Sequence, residues 1–188
     1  MKVALGIISS ILVIALCVIF RYDQIVEQQE NDISILVEKI YILGEQLKTQ
    51  EEEGLKDAAE LYKKLTANVE MIDAIAADVY SAWEAADYDD SPEKINKSIQ
   101  KALSKHQDKI DAINNSQQEI EECFNKAKQT SISYTVKSAM EYYLAYKDAI
   151  LKANAALDPS GYVTISTKKD GADRYLRDLY VAISDAGK

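Results

Sequence analysis

The chain has 188 residues, a hydrophobic fraction of 47% and a formal net charge of −9, with two prolines, six glycines and two cysteines. This composition excludes a disulfide-stapled secreted miniprotein, a collagen-like chain and a disordered linker rich in proline and glycine. Few turn residues argue against an all-β fold, and the acidic charge disfavours binding to the phosphate backbone, so we expect no nucleic-acid partner.

The first predicted element is a membrane anchor. Residues 3–20 contain no ionisable group except Cys17 and lie between two basic residues. A run of about 18 apolar residues can span most of a ~30 Å hydrocarbon core as a helix, so we assign residues 1–21 to a transmembrane signal anchor. A cleaved signal peptide and a lipoprotein modified at Cys17 are the alternatives. The short N-terminal flank and the acidic residues after Arg21 predict a single-pass protein with its N-terminus inside and most of the chain extracytoplasmic.

A long helix is predicted next, because residues 22–88 lack proline and carry apolar residues at alternating spacings of three and four. This heptad spacing is typical of coiled coils and helical hairpins. Two registers differ by one residue, and we expect a hinge or local unwinding at the change, near Gly54, because glycine weakens a helix by ~1 kcal/mol relative to alanine. The first register contains Tyr22, Val26, Ile33, Leu36, Ile40, Leu43 and Leu47, and the second contains Leu55, Ala58, Tyr62, Leu65, Val69, Ile72, Ala76, Val79 and Trp83.

A second helical arm follows a predicted hairpin tip at residues 87–92. Ser91 as N-cap, Pro92 at the first helical position and an acidic residue in the first turn form a strong start signal. The arm has its own apolar seam, changes register near Thr130, and stops at Asp158-Pro159-Ser160-Gly161.

The charges predict that the two arms lie side by side. Residues 22–90 carry 5 basic and 18 acidic residues, whereas residues 91–157 carry 10 basic and 8 acidic residues. In an antiparallel hairpin, facing residues would have numbers that sum to about 180, which places the acidic stretches opposite lysines. We therefore predict an all-α fold in which residues 22–157 form an antiparallel helical hairpin or coiled coil with a joint near residues 54 and 130. Folding back at that joint would instead give a four-helix bundle.

The remaining part, residues 158–188, is predicted to be an extended segment followed by a short amphipathic helix. The β-branched stretch at residues 162–167 favours extended backbone, either packed along the helices or pairing with the sheet of another protein. The short helix would place four apolar side chains on one face: Ala172, Leu176, Leu179 and Ile183.

The sequence contains no recognisable catalytic arrangement. The single histidine, His106, occupies a seam position and is interpreted as a core or half-buried imidazole, with a ligand role as the alternative. No Glu-x-x-His pair, phosphate-binding glycine loop or nucleophile elbow occurs. Cys123 is interpreted as a small buried hydrophobe, with an intermolecular disulfide as the alternative. We predict that the chain is not an enzyme and has no catalytic, cofactor-binding or metal-binding residues.

Tyrosine is unusually frequent, with twelve tyrosines against two phenylalanines. Packing of amphipathic side chains along the seams accounts for this, and the alternative is a recognition surface, where tyrosine is enriched. The candidate interaction surface comprises Tyr88, Tyr142, Tyr143, Tyr146, Tyr162, Tyr175 and Tyr180.

Two resemblances are limited in scope. Trp83-Glu84-Ala85 is similar to the motif of secreted WXG-type hairpins, with Ala85 in place of their glycine. A short cytoplasmic end, an anchor and a coiled coil together resemble phage inner-membrane spanins and small divisome proteins, in architecture only.

The predicted function is that of a membrane-anchored extracytoplasmic helical scaffold or interaction protein without catalysis. The chain would bind the membrane through residues 3–20 and would bind a protein partner or form a homo-oligomer. The alternatives are a helical-bundle module that binds a small ligand or an envelope component, and a spanin-like envelope protein.

Overall fold

The computed structural model describes residues 2–85, 90–153 and 159–187, and the side chains of residues 18–85, 90–153 and 165–187. The chain divides into two structural units, residues 1–49 and residues 50–188. The predicted all-helical fold and the long N-terminal helix are confirmed. The described residues form α1 (Lys2–Glu84), α2 (Pro92–Ser104), α3 (Gln107–Asn115), α4 (Gln117–Ala127), α5 (Ser133–Leu151) and α6 (Pro159–Ala186).

Two predicted features lie partly outside the described residues. The predicted anchor, residues 3–20, is helical as part of α1, but the side chains of residues 3–17 are not described. Within the described residues, no helix contains a stretch that is both long and apolar enough to cross a bilayer. The predicted hairpin tip falls largely on residues 86–89, which are also outside the described part of the chain.

The start of the second arm follows local chemistry. The hydroxyl oxygen of Ser91 accepts a hydrogen bond from the backbone N–H of Lys94 at 3.4 Å, and Pro92 occupies the first turn, where no backbone donor is needed. The predicted single helix is divided into α2, α3 and α4, with short breaks at residues 105–106 and at Ser116.

Residues 50–84 of α1 run antiparallel to the arm formed by α2, α3 and α4. The contacting pairs have numbers that sum to 182–184, close to the predicted alignment. Polar side chains therefore mark the register, while the buried aliphatic residues between the helices supply the apolar contact area. The pairs are Glu51–Ser131, Asp57–Lys126, Lys64–Glu119, Asn68–Ser116 and Asp78–Lys105.

At the predicted joint only the second arm folds back, because α1 continues through residue 54 as one helix. After the turn at residues 128–132, α5 returns along α4, and Lys147 donates a hydrogen bond to Gln117 at 2.8 Å. Helix α6 then packs along α5, where a Cβ on Gly171 would collide with the ring of Tyr142. Residues 50–187 thus contain four segments of alternating direction, as in a four-helix bundle whose first segment is the end of α1.

The predicted extended segment in the tail is wrong. Residues 162–167 are helical, because α6 begins at Pro159 and continues to Ala186 as one helix of 28 residues, rather than the predicted short helix. β-propensity is a weak local preference, and packing overrides it here: Ile165, Ala172 and Leu179 are fully or almost fully buried on the face of α6 that meets the bundle.

The predicted unwinding at Gly54 is also wrong, since α1 continues through this residue and its φ is not positive. The glycine instead permits a close approach between helices. A Cβ at this position would collide with Cγ2 of Thr130, which is buried in the turn between α4 and α5. The missing side chain lets α1 lie against that turn.

Substituting Gly54→Ala should therefore destabilise the bundle. The clash is expected to cost ~1–3 kcal/mol, against a gain of ~1 kcal/mol in helix propensity. Adding Thr130→Ser removes the clashing methyl and keeps the hydroxyl that donates to the Ala127 carbonyl at 2.7 Å, so it should restore stability. Urea unfolding of the single and double variants checks this. A Gly54→Ala variant as stable as the double variant would contradict the close approach.

Candidate functional site

The tyrosines predicted as an interaction surface do not share one environment. Tyr143 and Tyr146 are fully buried in the bundle core, so they are packing residues and not an accessible surface. Tyr142 and Tyr175 are half-buried and stack on each other, with ring centroids 4.3 Å apart. Tyr180 is exposed. The side chains of the other two candidates, Tyr88 and Tyr162, lie outside the described residues.

A first buried polar network joins α1, α5 and the break before α4. The side-chain amide of Asn68 donates to the hydroxyl of Tyr143 at 2.8 Å and to the hydroxyl of Ser116 at 2.9 Å. The Ser116 hydroxyl in turn donates to the Ile113 carbonyl at 2.9 Å. Because Asn68 is almost fully buried, both of its amide donors need these partners.

A second network centres on Asp73 of α1. Tyr146 of α5 donates its hydroxyl to one carboxylate oxygen at 2.6 Å, and Lys169 of α6 forms an ion pair with the other oxygen. One carboxylate therefore connects three helices. Both networks are structural, since their polar atoms are hydrogen-bonded to each other, and only the Asp73–Lys169 ion pair is partly exposed to solvent.

The environment of Tyr146 has a measurable consequence at high pH. Burial, and then the hydrogen bond and negative charge of Asp73, raise the pKa of Tyr146 well above its ordinary value. In the unfolded chain the phenol loses its proton near pH 10, whereas the folded chain retains it. Its contribution to stability is thus complete below pH 10 and is lost as the pH rises towards the folded pKa.

We expect the stability difference between the natural chain and Tyr146→Phe to shrink by up to about 1.4 kcal/mol per pH unit above pH 10. Urea unfolding of both chains between pH 9 and 11 measures this difference and cancels the titration of the lysines, which both chains share. A difference that stays constant across this range would contradict the buried phenol.

A cavity of about 300 Å³ lies between α1 and α2 and is lined partly by charged side chains. Asp78 is held between Lys105 and the ring of His106, each at 3.3 Å, and the hydrogen bonds from these two residues lower its pKa. The carboxylate is thus ionised and paired at neutral pH, which makes it a poor proton acceptor. The lining residues are Asp78, Ser81, Ala82, Ser98, Lys101, Ala102 and Lys105.

The other candidate reactive side chains, His106 and Cys123, are also partly buried. His106 is half-buried, as its seam position predicted, and it contacts Asp78 and Lys109. Cys123 is a half-buried free thiol whose pKa is raised by burial, so it is a weak nucleophile. Among the described residues, no group of histidine, cysteine and acidic side chains is arranged to hold a metal ion.

The feature with the clearest functional meaning is an exposed apolar face on α1. We call it the α1 face and define it as the heptad positions Ile19, Tyr22, Val26, Ile33, Leu36, Ile40, Leu43 and Leu47. All of these side chains are exposed except Val26, which is half-buried, and Ile40 exposes 69% of its surface. Acidic side chains such as Glu27, Glu38 and Glu45 lie on the other side of the helix.

Comparison with known proteins adds no relative. No family model, curated protein or solved structure matches this chain. The functional assignment therefore depends on the contacts and exposure of its own residues.

Sequence reasoning missed the residues of the two polar networks, above all Asn68, Asp73 and Lys169. The first two flank the apolar seam of α1, at positions that a two-helix hairpin leaves in solvent. They become important only because α5 and α6 cover the flanks of the seam. The sequence did offer one signal for these networks. Asn68 and Asp73 are polar residues beside the seam of α1, and the chain has many tyrosines in α5 that could accept or donate a hydrogen bond.

Proposed function

We propose that this chain is a helical scaffold protein that binds another helix along the α1 face and does not catalyse a reaction. The observation that carries the proposal is the row of exposed apolar side chains between residues 19 and 47. Soluble proteins rarely leave a contiguous apolar patch of this kind uncovered, and larger patches mark interaction sites. The seven-residue spacing of the row is the pattern that another helix buries.

The proposed location is a membrane surface. Residues 3–20 are almost free of ionisable groups; they include Ile19, the first residue of the α1 face, and directly precede the rest of it, so a membrane anchor there would hold the face close to the bilayer. The charge pattern favours a cytoplasmic N-terminus, with the face and the bundle of residues 50–188 outside the cytoplasm. This part of the proposal is supported by the sequence alone.

The alternative, a bundle that binds a small ligand or an envelope component, has weaker support. Two of its expected contact residues, Tyr143 and Tyr146, are fully buried and hydrogen-bonded within the core. Among the candidate tyrosines whose side chains the structure describes, this leaves Tyr142, Tyr175 and Tyr180 for such binding. The scaffold proposal instead uses a surface that is exposed at every position except the half-buried Val26.

Photo-cross-linking in intact cells tests the scaffold proposal. A photoreactive residue at Ile40, on the α1 face, should form adducts of higher mass. The matched control is the same probe at Ile42, which is also exposed but lies on the opposite side of the helix. Equal adducts at both positions, or none at either, would contradict the proposed role of the face.

A further inference from the structure

We infer that the helix bound by the α1 face is the same segment of a second copy of this chain, paired in parallel and in register. This inference rests on the proposed function, because it identifies the partner of the same surface. In a heptad written a to g, position a is occupied by Ile19, Val26, Ile33, Ile40 and Leu47 and position d by Tyr22, Gln29, Leu36 and Leu43.

The residue types at these positions point to a two-stranded parallel arrangement. Four of the five a positions carry β-branched side chains, and the last two d positions along the chain, Leu36 and Leu43, carry leucine. β-branched residues at a with leucine at d favour parallel dimers, because the two positions present their side chains to the partner at different angles. A generic apolar surface would not separate β-branched residues and leucine between the a and d positions in this way.

Gln29 supports pairing of identical segments. It is the one polar residue on the a and d positions between residues 19 and 47, and it is exposed in the single chain. In a parallel in-register pair, Gln29 meets Gln29 of the second copy, and each amide can both donate and accept a hydrogen bond. In an antiparallel pair, d positions pack against a positions, so Gln29 would face an aliphatic a residue such as Ile40 and its amide would have no partner.

The flanking charges permit the same arrangement. In a parallel pair, each g position lies beside the e position five residues further along the second copy. None of these pairings places like charges together, so charge repulsion does not oppose the parallel pair. The pairings are Ile25–Glu30, Asp32–Val37, Lys39–Gly44 and Gln46–Glu51.

Disulfide trapping of the full chain in membranes tests the inference. In a background of Cys17→Ser and Cys123→Ser, either Tyr22→Cys or Leu43→Cys should give a covalent dimer under mild oxidation, because each d position meets itself in the parallel pair. Glu38→Cys, on the outer side of the helix, is the matched control and should remain monomeric.

Each other outcome overturns the inference in a distinguishable way. An antiparallel pair with Gln29 opposite Ile40 would give dimers only when Tyr22→Cys and Leu47→Cys chains are produced together. If neither d position forms a dimer while the Ile40 probe still gives adducts, the partner is a different protein and the scaffold function stands. If the Ile40 adducts are also absent, the proposed function fails as well.

Discussion

Tyr143→Ala is expected to lower the free energy of unfolding by ~3–5 kcal/mol. The ring is fully buried between α5 and α1, so its removal leaves a cavity and takes the hydroxyl away from the amide of Asn68. Tyr143→Phe keeps the ring and should cost ~1–3 kcal/mol, because it leaves one amide N–H of the buried Asn68 without an acceptor while Ser116 still accepts from the other.

The matched control for Tyr143→Ala is Tyr134→Ala on the same helix. Tyr134 exposes 77% of its surface, so its loss should change stability by no more than about 0.5 kcal/mol. Urea unfolding followed by circular dichroism measures all three variants. Unchanged stability in Tyr143→Ala, together with loss of a binding activity, would instead show that Tyr143 belongs to a ligand site.

Asp73→Ala should cost ~1–3 kcal/mol, because it leaves the buried hydroxyl of Tyr146 without an acceptor. The ion pair with Lys169 adds little, since both side chains are more than a third exposed. In a Tyr146→Phe background, the cost of Asp73→Ala should fall below ~1 kcal/mol, because the orphaned donor is then gone.

Asp148→Ala is the control for this second prediction. Asp148 forms an exposed ion pair with Lys152 on α5, at 2.7 Å, and its loss should change stability by no more than about 0.5 kcal/mol. If Asp73→Ala costs the same with and without the Tyr146 hydroxyl, the carboxylate does not hold that hydroxyl and the second network is misassigned.

The sequence predicted those parts of the fold that depend on local chemistry or on a repeated pattern. Ser91 and Pro92 mark a helix start because capping involves neighbouring backbone atoms only. The apolar spacing in α1 and the opposite charges of the two arms predicted their antiparallel alignment, because both patterns extend over many residues.

Other parts depend on contacts between distant segments, and these could not be read from the pattern. The β-branched residues 162–167 are helical because α6 buries Ile165 against the bundle. Gly54 marks a close approach to Thr130, where a two-helix alignment predicted unwinding. Tyr143 and Tyr146 became core residues once α5 folded back onto α1.

The candidate surface was predicted only in part. The heptad spacing of residues 22–47 was visible in the sequence, but the same pattern also fits a helix covered by its own chain. Only the exposure of Ile33, Leu36 and Ile40 separates this stretch from residues 55–83, where the same spacing is buried in the bundle. Exposure depends on which segments reach the helix, and no local signal contains that information.

The most direct test of the central claim is the mass of the full chain in a mild detergent. We expect a complex of two 21.0 kDa chains. The double substitution Ile33→Asn with Ile40→Asn should raise the Kd for dissociation of this complex at least ~10-fold, because it places polar amides in the seam. The control pair, Ile35→Asn with Ile42→Asn, changes the same residue type outside the seam and should leave the complex intact. A single chain in the unsubstituted protein, or equal loss of the complex in both pairs, would contradict the account.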